Sequence, residues 1–374
     1  MCSVTQYDRS PWPHRLAVVL ALVTFPLIWV GGLVTTYDAG MAVPDWPGTY
    51  GYNLFAYPLA TWVAGPWDLF IEHGHRLLGA TAGMVAIALV VVTFRTDSRR
   101  WLRLATGGAL ALVILQGALG GARVLFDERL VALIHGCLGP LLFAYLAGLV
   151  VVTSRFWATA TCQPAASGTH LLRAAWITVG LAYTQLILGA VIRHVPLTAS
   201  PAVFRMALVF HLVIAAVLVV QMMLTARHAW KAGKSQPGLR TFGSLLPLLL
   251  VVQIALGIAT YVAKYSWPAW LGEYQFAATY VIEEKSLSQS LITTAHVANG
   301  SLILFVAVLL AARSTRTFCA TNSLSRRVSE VAAAEYSVLR TQYAPPVPQT
   351  IVRSSGPPTT PLASPPPNAR HASA

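Results

Sequence analysis

The stretch Ile71-Glu72-His73-Gly74-His75-Arg76 places a carboxylate, two imidazoles and a guanidinium at the mouth of an apolar segment, Leu77 to Thr93. Charged groups are costly at the edge of a hydrocarbon layer. Such a cluster therefore marks either chemistry or a loop end whose charges reach back to water. Three further histidines help decide between these readings. Every apolar segment of even order opens with a histidine: His75, His135, His211 and His296. The segment before each carries a glycine phrase: Val30-Gly31-Gly32, Leu115-Gln116-Gly117-Ala118-Leu119-Gly120, Thr184-Gln185-Leu186-Ile187-Leu188-Gly189 and Val252-Gln253-Ile254-Ala255-Leu256-Gly257. The other histidines (His14, His73, His170, His194, His228 and His371) fall in loops, at segment ends or in the tail.

Facing imidazoles inside a helical bundle are natural metal ligands. Two from different helices, with no cysteine or carboxylate ligand set beside them, suit an axially ligated haem better than zinc. The pairing that follows the chain is His75 with His135 and His211 with His296. For any single histidine, a hydrogen bond across helices is the blander reading; four in equivalent register favour haem. Only the first half has an acid one turn before its histidine, since Glu72 precedes His75 by three residues and so shares its helix face. Ala132, Leu208 and Thr293 occupy the equivalent positions. One half thus reads as catalytic, with Glu72 as its acid–base group, and the other as an electron-transfer site.

The elements that carry these residues must be membrane helices. The chain has 374 residues, 56% hydrophobic and only 10% charged. Eight apolar runs, roughly 16–34, 75–94, 102–121, 131–153, 171–192, 205–226, 243–262 and 292–312, each approach the length a helix needs to cross the hydrocarbon. The first lacks a small-residue cleavage site and is read as a retained helix. The net charge of +13 comes from clusters between the runs, which set topology rather than build a nucleic-acid surface. Arg9, Arg15, Arg95, Arg99, Arg100, Arg103, Arg155, Arg173, Arg227, Lys231, Lys234, Arg240, Arg313, Arg316, Arg326 and Arg327 fall on one side. The positive-inside rule makes that side cytoplasmic, with both termini there and the four histidines toward the outer face.

The expected architecture is an all-α membrane protein of two pseudo-symmetric four-helix bundles, residues 16–155 and 171–313, because the two-helix unit recurs four times. Residues 1–15 form a cytoplasmic N-terminus. Two longer outer segments, 35–74 and 263–291, are rich in acids, aromatics, prolines and glycines and should pack on the membrane surface. Residues 314–374 follow the last bundle as a cytoplasmic tail whose Pro/Ser/Thr-rich stretch is expected to be disordered. Cys2, Cys137, Cys162 and Cys319 are too scattered for a disulfide framework.

Residues 16–312 resemble the haem A synthase family of eight-span membrane enzymes. The matching features are Gly31-Gly32-Leu33-Val34-Thr35, Met41 followed by Pro44-Asp45-Trp46-Pro47, the Glu72, His75 and Arg76 motif, and His135, His211 and His296. The resemblance implies oxidation of the ring D methyl group of haem O to a formyl group, giving haem A for cytochrome oxidase. It assigns His211 and His296 to a haem b cofactor, His75 and His135 to the substrate haem, and catalysis to Glu72, which would orient water or stabilise positive charge. Arg76 is a candidate propionate partner and equally a candidate interfacial anchor. The implied partners are haem O, the farnesyltransferase that makes it, cytochrome oxidase assembly factors and membrane lipid, with a homo-oligomer left open and no nucleic acid. The implied location is a bacterial-type cell (inner) membrane. Two departures stand out. Some members carry a cysteine pair in the first outer loop, whereas no cysteine lies between Cys2 and Cys137 here, which excludes any mechanism needing that disulfide. His73 lies outside the family motif and is expected on the surface. The same four histidines would serve a quinone-linked di-haem b electron carrier that leaves haem unmodified, but that carrier has no use for Glu72. A transporter using its repeats for alternating access needs no haem at all.

Overall fold

A computed structural model describes residues 10–161, 166–196, 198–233 and 237–318. The Pro-rich tail, Cys2, Cys162 and Cys319 lie outside these residues. Among the described residues are eight helices long and apolar enough to span a membrane. They are α1 (Trp12–Thr36), α2 (Trp67–Thr96), α3 (Arg100–Phe126), α4 (Arg129–Thr153), α5 (Ala166–Arg193), α6 (Pro201–Ala232), α7 (Pro237–Tyr265) and α8 (Leu287–Thr317). The chain is an integral membrane protein on this evidence of length and composition. No strand occurs among the described residues, only an isolated bridge between Thr49 and Tyr52.

Every helix outruns the apolar segment that announced it, because helix continues into the interface after hydropathy falls. The largest extension is at α2. It begins at Trp67, behind Pro66 and with Asp68 in its first turn, a placement that suits the positive helix N-terminus. The motif from Glu72 to Arg76 is therefore helical throughout. Ser286 caps α8 by accepting from Gln289 N–H, satisfying an otherwise orphaned donor. Pro26, Pro140 and Pro247 lie inside α1, α4 and α7, tolerated where neighbouring helices can re-satisfy the freed backbone groups.

Packing follows the chain order. Helices α1 to α4 close one ring of neighbours, α5 to α8 close another, and α1 and α4 pack on α8 while α4 also meets α5. An aromatic seam joins the halves: Phe143 of α4 stacks on Phe305 of α8 with centroids 4.3 Å apart, and on Phe25 of α1 at 5.8 Å. In the second ring the buried Thr178 and Thr225 hydroxyls pair at 2.8 Å. Cys137 is a free thiol and only half-buried.

The first outer segment is ordered by the membrane helices beneath it. It contains a 3₁₀ turn at Ala39–Met41 and a short helix at Leu59–Val63. Asp45 accepts from the N–H groups of Tyr50 (2.7 Å) and Gly51 (2.9 Å). Partial burial would raise the Asp45 pKa, but those N–H groups and the nearby Arg76 charge outweigh it and hold the carboxyl below its ordinary value. Its contribution to loop stability is therefore present above the unfolded aspartate pKa and is lost as the pH falls through the lower, folded value.

Candidate functional site

The four histidines are brought together in two pairs. His75 of α2 and His135 of α4 have ring centroids 6.4 Å apart with planes at 87°. His211 of α6 and His296 of α8 are also 6.4 Å apart, with planes at 59°. A metal between two imidazoles needs two bonds of about 2 Å plus about 1.1 Å from each nitrogen to its ring centre, or ~6.2 Å in all. Both pairs meet that spacing. No group of three or more His, Cys, Asp or Glu side chains is placed to hold a metal ion among the described residues. Two facing imidazoles at this spacing, with no third ligand beside them, would suit a haem iron. The Nδ1 atoms of His75, His135 and His211 are buried without a hydrogen-bond partner, a costly state for a histidine with nothing to bind.

The glycine phrases explain how the rings get there. A Cβ at Gly31 would stand 2.7 Å from His75 Cε1, at Gly120 3.4 Å from His135 Cε1, at Gly189 3.4 Å from His211 Cε1, and at Gly257 3.1 Å from His296 Cε1. Each histidine therefore lies edge-on against a glycine of the preceding helix, most tightly at Gly31. The adjacent glycines serve other neighbours: Gly121 seats the Trp46 indole of the outer loop, and Gly32 faces Thr294 of α8.

The glutamines of the phrases have a role that spacing alone did not reveal. Gln116 Nε2 donates to the His135 carbonyl (3.2 Å) and Gln185 Nε2 to the His211 carbonyl (3.0 Å). Gln253 Nε2 instead stands 3.2 Å from the His296 Nδ1 ring atom, and its carbonyl oxygen accepts from Asn299 Nδ2 at 2.8 Å. Their recurrence four residues before each glycine was the signal. Span one has Leu27 there and no such donor.

Glu72 is almost fully buried. Its Oε1 accepts from Arg76 Nε at 3.1 Å, while Oε2 is buried with no partner. Arg123 of α3 lies within electrostatic reach of Glu72, His75 and His135, and its guanidinium packs on Gly40 of the outer loop. Arg76 turns away to the loop. Its Nη1 donates to the carbonyls of Asp45 (2.5 Å) and Gly48 (2.7 Å), and Nη2 donates to that of Val43 (2.7 Å). With Nε on Glu72, these bonds engage most of its donors and make it a clasp for the outer loop.

His73 is not at the surface, contrary to expectation. It is 2% exposed, bonded through Nδ1 to the Thr49 hydroxyl at 2.9 Å, and flanked by Tyr57 and Trp62, each with its ring centroid 5.1 Å away. Sequence reading missed this because the covering residues come from a loop far along the chain. His73 and Arg76 therefore both hold the outer segment over the histidine pair. Arg76→Gln should remove charge-assisted bonds worth roughly 1.5–3 kcal/mol each. Amide exchange across residues 43–51 is expected to speed up by about tenfold or more, while exchange in the interior of α2 stays slow.

The fold and site together define a polytopic helical membrane protein with two facing histidine pairs and, among the described residues, a buried carboxylate one turn before His75 of the first. Residues 14–199 match the COX15-CtaA family, described as "Cytochrome oxidase assembly protein". The chain is similar to three proteins named "Heme A synthase". That of Symbiobacterium thermophilum is 31% identical over 186 residues, covering 46% of this chain and 56% of the relative. That of Hyphomonas neptunium is 27% identical over 216 residues, 48% of this chain and 59% of the relative. That of Shouchella clausii is 24% identical over 283 residues, 69% and 89% respectively. The matched stretch thus spans somewhat over half the length of the first two.

Proposed function

We propose that this protein oxidises the ring D methyl group of haem O to a formyl group, giving haem A for cytochrome oxidase. The observation that carries this reading is an asymmetry. Two histidine pairs share one centroid separation, yet among the described residues only the first has a buried carboxylate with a free oxygen one turn before its histidine, Glu72 before His75. An electron carrier needs both pairs and no such acid. The relatives named "Heme A synthase" and the family description support the same reading.

In this reading His75 and His135 hold the substrate haem, and His211 and His296 hold haem b. Haem b, when bound, supplies one-electron transfer. Glu72 Oε1 is fixed by Arg76, leaving Oε2 to hold a proton or to orient water toward the reacting methyl group. The clasped outer loop keeps bulk water from that carboxylate. The bundles 16–155 and 171–313 act as pseudo-symmetric halves, one for substrate and one for cofactor. The histidine pairs face the extracytoplasmic side of a cell (inner) membrane, with both termini cytoplasmic. The partners are the haem O-producing farnesyltransferase and cytochrome oxidase assembly factors.

Pigment extraction and chromatography of the purified protein test this reading. Haem O or haem A is expected alongside haem b. Haem b alone would point to the electron carrier, and the absence of any bis-imidazole haem spectrum would remove both redox readings.

A further inference from the structure

Three basic residues at the outer ends of α3, α5 and α7 have no role in the chemistry above. They occupy related positions. Arg123 lies three residues after Gly120, Arg193 four after Gly189, and Lys264 seven after Gly257. Offsets of three, four and seven return to one face of a helix. All three therefore project from the face whose glycine meets a histidine, one or two turns nearer the outer surface. Arg193 is within electrostatic reach of both Arg123 and Lys264. Its side chain is partly buried.

Like charges gathered in an enclosed site are unfavourable without a counter-charge. The protein supplies little. Among the described residues the ion pairs are Arg76–Glu72, Arg99–Asp97 and Lys285–Asp38, and none involves these three cations. Glu72 acts on Arg123 only at a distance, with one oxygen already held by Arg76, and Glu284 acts on Lys264 without closing an ion pair. Arg193 Nη2 donates to neutral groups of α1, the Gly32 carbonyl at 2.7 Å and the Thr36 hydroxyl. Thr36 in turn lies 3.5 Å from Thr294 of α8. Arg193 thus reaches from the second ring of helices into the first. Buried hydroxyls without partners stand nearby in sequence register: Thr260, one turn before Lys264, and Ser290 and Thr293, two turns and one turn before His296.

We propose that Arg123, Arg193 and Lys264 form a carboxylate-binding rim beyond the two histidine pairs, taking the acidic side arms of the tetrapyrroles bound there, with Arg193 shared between the two sites. This rests on the haem reading above. Arg123 serves the His75–His135 side, and Lys264, with the free hydroxyls, serves the His211–His296 side. The ring plane sits between imidazoles while its carboxylates point outward into the cationic rim. Arg76 gives most of its donors to Glu72 and the outer loop, and the rim does not depend on it.

The test uses the full chain, purified, depleted of haem and titrated with haem or with its dimethyl ester, in which both carboxylates are blocked. Wild type is expected to bind haem more tightly than the diester. Arg193→Gln should weaken haem binding by about tenfold to a hundredfold and leave diester binding unchanged. Equal weakening of both ligands would overturn the rim, showing that Arg193 serves the fold or a lipid headgroup. So would a wild type that binds the diester as tightly as haem. Should Arg193→Gln not fold, Lys264→Gln carries the same expectation and the same overturning results. If wild type gives no bis-imidazole spectrum with either ligand, the haem reading itself fails and the rim with it. That outcome is distinct from a haem site indifferent to esterification.

Discussion

Glu72→Gln is expected to stop haem A formation while leaving both histidine pairs able to bind haem. The side chain is isosteric, so an oxygen can still accept from Arg76 Nε, as Oε1 does at 3.1 Å. The outer loop, held by Arg76 through the carbonyls of Val43, Asp45 and Gly48, should stay in place. What disappears is the charge and the proton-holding capacity of the buried Oε2. Loss of general acid–base action costs about 10²–10⁴-fold in rate, and loss of a fixed charge facing a developing cation adds to that. The measurement is the haem A to haem O ratio in a host supplied with haem O, read beside the visible spectrum of the purified variant. Normal haem A accumulation would sink the catalytic assignment. A lost spectrum would show instead that Glu72 shapes the pocket.

The second large effect separates the two pairs. His211→Ala should remove the haem held by the second pair and leave binding at His75 and His135 intact; His75→Ala should do the reverse. Loss of a group that only hydrogen-bonds a metal ligand weakens metal sites about 10–100-fold, so loss of the ligand itself should exceed that. Gln253 and Asn299 remain around His296 in the first variant, and a lone imidazole would shift the spectrum away from the bis-imidazole form. Both variants should stop haem A formation, but haem O should be retained only by His211→Ala. If each variant lost haem from both sites, the pairs would not be independent, and the division into a substrate site and a cofactor site would fall.

Much of this arrangement was legible before folding. Apolar run length located the spans, and the fourfold two-helix repeat, read as two bundles, indicated which imidazoles would meet. Both pairs do meet, at one common separation. The register works as a signal because a ring edge needs the missing Cβ opposite it, and that requirement is written at fixed spacing along each helix. The start of α2 was less legible. Hydropathy falls before helix ends, so Trp67 to Gly74 read as loop although Pro66 and Asp68 open a helix there.

What the sequence by itself determined was the set of spans, the placement of four histidines at one end, and the lone acid before His75. These follow from local periodicity and composition, which need no knowledge of distant partners. The tertiary structure decided the rest. It made Arg76 a clasp for the outer loop, and it buried His73 beneath Tyr57 and Trp62. It also placed Arg193 within electrostatic reach of both Arg123 and Lys264, each from a different helix. The physical reason is the same in each case. A charge or a polar ring takes its role from the groups that desolvate and satisfy it, and here those groups come from other helices or from a loop many residues away.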